Sequence, residues 1–180
     1  MPDRRNVISY IAMSLDGYIA GPGDDISFLS MVEKEGEDYG YADFMKTVDT
    51  IFLGRRTYDK VKETGFGYPG DKEVYIISHD TGFGDKALKY YSGPLKSLIS
   101  DLRNRQGRNI YCDGGSEVLN QLLQDDLIDE FFISVIPVIL GDGIRLFRDG
   151  HPALNLQLVS AREFDTGLVQ LHYIRAENQQ

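Results

Sequence analysis

Val7-Ile8-Ser9-Tyr10-Ile11-Ala12-Met13 carries apolar side chains on both of the faces that a strand presents in alternation. A strand of that kind is stable only where both sides of its sheet are covered, which calls for a parallel or mixed sheet with helices on each face. Thr50-Ile51-Phe52-Leu53, Val74-Tyr75-Ile76-Ile77 and Asn109-Ile110-Tyr111-Cys112 are further short apolar runs of strand length. Between them lie stripes with helical spacing: Tyr41, Phe44, Met45 and Val48, then Leu95, Leu98, Ile99 and Leu102, then Val118, Leu119, Leu122 and Leu123. A further helix is expected to begin near Thr57. The rest is strand-rich, over residues 130–139, 156–164 and 168–175, the last two joined as a hairpin at Asp165-Thr166-Gly167. The alternation predicts an α/β fold: a mostly parallel central sheet, helices on both faces and a C-terminal antiparallel hairpin. Neither a repeat nor a Pro/Ser-rich linker interrupts it, so residues 1–180 read as a single domain.

Charge narrows the partners. The chain has 19 basic and 28 acidic residues, net −9. A broadly acidic surface repels phosphate backbones and anionic lipid, so neither nucleic acid nor a membrane is expected as the main partner; a small-molecule substrate is. Cys112, the single cysteine, cannot close an intrachain disulfide, and it reads as a small buried hydrophobe. His151 and His172 stand far from any cysteine or carboxylate cluster, so no metal site is expected. The first apolar run is too short for a signal segment, and a cytoplasmic protein is the expectation.

In open α/β sheets, ligands gather where strands end and helices begin. Two junctions have suitable composition. Leu53-Gly54-Arg55-Arg56-Thr57-Tyr58 pairs a turn glycine with two arginines and a threonine able to cap the new helix or bond an anion. Cys112-Asp113-Gly114-Gly115-Ser116-Glu117-Val118 places two glycines before a helix start. Taken singly, each reads more readily as an ordinary helix start or turn; two of them in one acidic chain favour a phosphate-bearing cofactor. Asp16, in Ser14-Leu15-Asp16-Gly17-Tyr18-Ile19-Ala20, reads on spacing alone as an Asp-Gly turn, with a substrate-holding or proton-handling group as the alternative.

With these segments in this order, and with Pro137-Val138-Ile139-Leu140-Gly141-Asp142-Gly143 before Leu146-Phe147, the chain resembles the dihydrofolate-reductase-like superfamily. It is most similar there to the stand-alone form of the C-terminal reductase domain of the bifunctional riboflavin-biosynthesis deaminase-reductase. The resemblance runs from about Val7 to Arg175. It implies a sheet that binds NADPH in extended form. Ala12 and Ile19 would lie against the nicotinamide; Gly54, Arg55, Arg56 and Thr57 would hold adenosine-side phosphates; Ser78 would sit by the adenine ribose. Gly114, Gly115, Ser116 and Glu117 would wrap the pyrophosphate, with a cis peptide between the two glycines. Asp16 and Asp38 would be the catalytic carboxylates, with Asp43 the alternative to Asp38.

Departures from the pattern bear on function. The chain has no tryptophan, whereas the classical dihydrofolate reductase carries a Leu-Pro-Trp segment. Glu117 stands where that enzyme has an arginine near the 2′-phosphate, which leaves NADPH against NADH to Arg55 and Arg56. The zinc deaminase pattern is missing, which excludes deamination. What the resemblance implies is an NADPH-dependent oxidoreductase acting on a small pyrimidine- or pterin-type substrate, as in 5-amino-6-(5-phosphoribosylamino)uracil reduction. The alternatives are dihydrofolate reduction and a non-catalytic NADP(H)-binding module. Arg145 and Arg148 are candidates for a substrate phosphate, and His79 for a cofactor phosphate. The branch also implies a homodimer, with Ile133, Val135 and Ile139 as its apolar patch.

Overall fold

The doubly apolar first strand lies inside an eight-stranded sheet. The computed structural model describes residues 4–79 and 88–176. In chain order its elements are β1 (Val7–Ser14), β2 (Tyr18–Ala20), α1 (Tyr41–Lys46), β3 (Val48–Gly54), α2 (Arg55–Glu63), β4 (Glu73–Ile77), β5 (Leu88–Tyr91), α3 (Leu95–Arg103), β6 (Asn109–Gly114), α4 (Ser116–Gln124), β7 (Glu130–Ile136), β8 (Ile144–Arg145), β9 (Leu156–Glu163) and β10 (Val169–Arg175). The sheet order is β5-β4-β3-β6-β1-β7-β10-β9. The first six strands of that order are mutually parallel. β10 is antiparallel to both of its neighbours, β7 and β9.

Alternation along the strands assigns the two faces. Phe52, Ile110 and Cys112 pack with the α3 and α4 leucines in one core cluster. Ile51, Leu53, Val74 and Tyr111 turn to the other side, where Phe44 and Met45 of α1 and Tyr58 of α2 cover them. The sheet is therefore covered on both faces, as the β1 pattern requires. Arg5, just before β1, ties the opposite, amino-terminal edge together. Its buried guanidinium donates to the Arg108 carbonyl at 2.6 Å, the Leu102 carbonyl at 3.0 Å and Thr50 Oγ1 at 2.7 Å, and it pairs with Asp49.

Several boundaries differ from the sequence expectation. α2 begins at Arg55, so Thr57 lies inside the first turn and Gly54 is the N-cap. β7 ends at Ile136, because Pro137 has no N–H to continue a ladder. The two-stranded β2–β8 pair and edge strand β5 carry no pattern that announced them. Ile133 is buried in the chain's own core and cannot supply a dimer patch, while Ile139 is exposed. Among the described residues no helix is long and apolar enough to cross a membrane.

Candidate functional site

β3 and β6 are neighbours, and Leu53 pairs with Gly114 in register. That one pairing sets the two glycine junctions side by side at the carboxyl edge of the sheet. Gly54 and Gly115 are the N-caps of α2 and α4, and neither helix start receives a side-chain cap. Two sets of backbone N–H groups therefore open on the same gap, an arrangement suited to anions. A Cβ on Gly54 would stand 3.8 Å from the Gly115 nitrogen and 3.9 Å from the Gly114 oxygen; one on Gly115 would stand 2.9 Å from Thr57 Oγ1. Gly114 has φ +92°, a region that disfavours any side chain, and the Gly114–Gly115 peptide is cis.

The other expected cofactor residues distribute around this gap unevenly. Arg55 and Arg56 are exposed on the first turn of α2. Arg55 Nε donates to Asp59 at 2.9 Å, and Arg56 forks onto Asp24 at 2.6 and 2.7 Å. The Arg56 pKa is raised, first by the hydrogen bond to Asp24, with a lesser electrostatic contribution from Glu117 across the gap. Glu117 itself meets Arg148 at 3.5 Å. Ser116 is buried at the start of α4. Ser78 follows β4, whose Ile77 pairs with Gly54, and so joins the same rim. Ala12 and Ile19 part company: Ala12 packs against the Phe28–Ile136 cluster, Ile19 against the α3–α4 core. His79 is exposed, one residue beyond Ser78.

Asp16 closes a turn. It accepts from Ser14 Oγ at 2.6 Å, the Leu140 N–H at 3.1 Å and the Gly141 N–H at 2.7 Å. The Ser14 bond, followed by the backbone N–H groups of Gly141 and Leu140, lowers its pKa to about 2. Asp38 accepts from the Ala42 and Gly40 N–H groups at 3.0 and 2.9 Å, and those bonds hold its pKa below the usual carboxylate value. Both side chains thus present charge rather than a proton near neutral pH. Asp43 lies exposed on α1 and pairs with Lys46 at 2.6 Å.

Asp38 also borders a cleft of about 660 Å³ in front of β1, floored by Ile11, Ala12 and Ile136 and walled by Tyr10, Tyr39, Tyr41 and Tyr111. Asp113, a residue that sequence inspection passes over as part of a turn, stands on β6 two residues beyond Tyr111, which lines the cleft, and next to Gly114 of the rim. The hydroxyls of Tyr68 and Tyr111 both donate to it. Burial pushes its pKa up to about 6, and the two tyrosine bonds oppose the rise. The Tyr111 pKa is raised as well, by burial first and by the Asp113 charge second. The signal was present: Tyr111 and Asp113 are two apart on one strand, hence on one face. Tyr68 lies in a loop whose docking no periodicity encodes.

Comparison with known proteins adds to this geometry. Residues 87–170 match the family described as the RibD C-terminal domain. Over 174 residues the chain is 40% identical to the uncharacterized protein YwjB of Bacillus subtilis (strain 168), covering 96% of this chain and 99% of that one. A putative riboflavin biosynthesis protein from Shewanella sp. PV-4 has a similar structure, with TM-score 0.86 at 30% identity over 96% of this chain and 99% of that one. A diaminohydroxyphosphoribosylaminopyrimidine deaminase/5-amino-6-(5-phosphoribosylamino)uracil reductase from Thermotoga maritima shares the fold, with TM-score 0.73 at 16% identity over 96% of this chain and 57% of that one.

Proposed function

The chain belongs to the RibD C-terminal-domain family, and from that premise we propose that it is a reductase that binds NADPH across the carboxyl edge of its sheet and reduces a small pyrimidine- or pterin-type substrate. The observation that carries this reading is that the Leu53–Gly114 pairing sets two helix starts without side-chain caps side by side, so close that a Cβ on Gly54 would come within 4 Å of the Gly115 nitrogen. Glycine at both caps leaves room for a dinucleotide phosphate to touch backbone N–H groups, and Arg55 and Arg56 bring compensating charge to the same turn. Thr57 and Ser116 add hydroxyls beside the gap. NADPH, when bound, supplies the hydride.

The protein's own part is orientation and proton supply. The cleft is lined by Ile11 and Ala12 of β1 and by Tyr111 of β6, and a flat ring held there lies beside the rim. Asp113 is assigned the proton-handling role: its carboxyl, raised to about 6, changes protonation close to neutral pH and is wired to the cleft through Tyr111. Asp16 anchors the Leu140–Gly141 turn that borders β1, and Asp38 orders the start of α1.

A melting-temperature screen with NADPH, NADH, NADP+ and NAD+ tests the proposal. Saturation at about a hundred times Kd stabilises the native state by about 2.7 kcal/mol. In a chain of this size that raises Tm by roughly 5–10 °C. The expected result is such a rise with NADPH and NADP+; no shift with any of the four refutes the reductase reading.

A further inference from the structure

The mouth of the β1 cleft is unusually one-sided in charge. Among the described residues, Glu33, Glu35, Glu37 and Asp38 line it against one lysine, Lys34. The Lys34 ammonium is already engaged by Asp165. Glu37 and Asp38 spend one or both oxygens on backbone N–H groups, but a hydrogen bond to a neutral donor does not remove their charge. Nor do the arginines that the sequence offers for a substrate phosphate face this space. The Arg145 guanidinium lies 4.7 Å over the Tyr18 ring, Arg148 is paired with Glu117, and neither lines the cleft. Arg162, beside Gly40, is laid over the Phe164 ring at 5.1 Å, one guanidinium against four carboxylates.

Behind the acidic mouth the walls are aromatic. Tyr10, Tyr39, Tyr41 and Tyr111 surround an apolar floor. Tyr10 has its hydroxyl occupied by the Tyr39 carbonyl and Gln170, and Tyr111 by Asp113 and the Tyr10 carbonyl. Those phenols are fixed as neutral walls, not as spare donors for an anion. Such a space suits a flat ring, and its volume lies in the range of small-molecule sites.

Resting on the reductase reading above, we infer that this cleft selects a flat heteroaromatic substrate that is neutral or cationic and carries no phosphate or carboxylate tail. The physical reason is cumulative. Each like charge within about one Debye length weakens anion binding roughly twofold in water, so three net negative charges amount to roughly tenfold. A cationic amine gains by the same factor.

Riboflavin and FMN are a matched pair of probes, sharing one flat ring and differing by a phosphate. Their binding to the full chain saturated with NADP+ is read by quenching of flavin fluorescence. The expected result is that riboflavin binds at least roughly tenfold tighter than FMN at low salt, and that the preference shrinks at high salt. In Glu33→Lys/Glu35→Lys, two exposed rim positions, the ratio should fall to about one or reverse, with Tm held close to wild type. FMN binding as tightly as riboflavin, a ratio unmoved by the double variant, or no binding of either flavin would overturn the inference. Failure of the nicotinamide screen is a separate outcome, since the flavin ratio can be measured with or without NADP+.

Discussion

The carboxyl of Asp113, half-buried at the end of β6, rises from 3.8 to about 6 because desolvation disfavours its charge, and Asp113→Asn turns that rise into a measurable pH dependence of stability. A group whose folded pKa exceeds its unfolded value holds its proton more tightly in the native state. Its contribution is complete below about pH 4, falls as pH rises toward about 6, and is flat above. At about 1.4 kcal/mol per unit, a shift of about two units is worth about 3 kcal/mol. Asp16 and Asp38 have lowered pKa values, so their contributions are lost only as the pH falls below about 4, outside this window. The Asn variant has no proton to lose. Wild type and variant should therefore be of similar stability near pH 4, and the variant should be more stable by about 2–3 kcal/mol near pH 7, allowing for imperfect replacement of the tyrosine bonds. For a chain of this length that is a Tm gap of roughly 4–12 °C. Urea unfolding followed by circular dichroism at half-unit steps from about pH 4 to about 7.5 resolves it. A gap that is the same at both ends of the range, or a wild-type stability flat across it, would show that burial does not govern this carboxyl.

Two glycine substitutions separate site from scaffold. Gly54→Ala puts a methyl 3.4 Å from Val118 Cγ2, an ordinary contact at an ordinary backbone angle. Its Tm should stay near wild type, while NADPH titration shows affinity weakened at least roughly tenfold, the worth of about one lost hydrogen bond. Gly143→Ala does the reverse: φ is +138° and the new Cβ would stand 2.1 Å from the Ala20 carbonyl oxygen. The β2–β8 pair must then open, with a loss of at least about 1–3 kcal/mol in unfolding free energy. Arg5→Met should cost about 1–3 kcal/mol in urea midpoint analysis, because it leaves the Arg108 and Leu102 carbonyls without their donor at the amino edge, while Asp49 loses its charge partner but keeps Thr50 Oγ1 and the Arg108 N–H. A loss under about 1 kcal/mol would mean the clasp is ornamental.

How much of the protein was legible before its structure depends on the range of the interaction that decided it. Val7–Met13, with apolar residues on both faces, announced a sheet covered on two sides, and the stripes of α3 and α4 announced what covers one of them. Those are local facts, since a side chain's face follows from the 2.0 and 3.6 periods alone. The glycine junctions were equally visible as sequence, each open to a bland or a functional reading. Choosing between them took the neighbour relation of β3 and β6, two strands about sixty residues apart, which no period encodes. The same holds for Asp113, which becomes a titrating group because Tyr68 and burial reach it from elsewhere. Glu33, Glu35, Glu37 and Asp38 lie together in the sequence, but that they border the cleft in front of β1 is decided by where the segment between Val32 and α1 packs. Composition and periodicity determined the architecture, because burial is decided residue by residue along each element. Only tertiary packing decided the site, because its field, its depth and its proton arise where elements distant in the chain are pressed together.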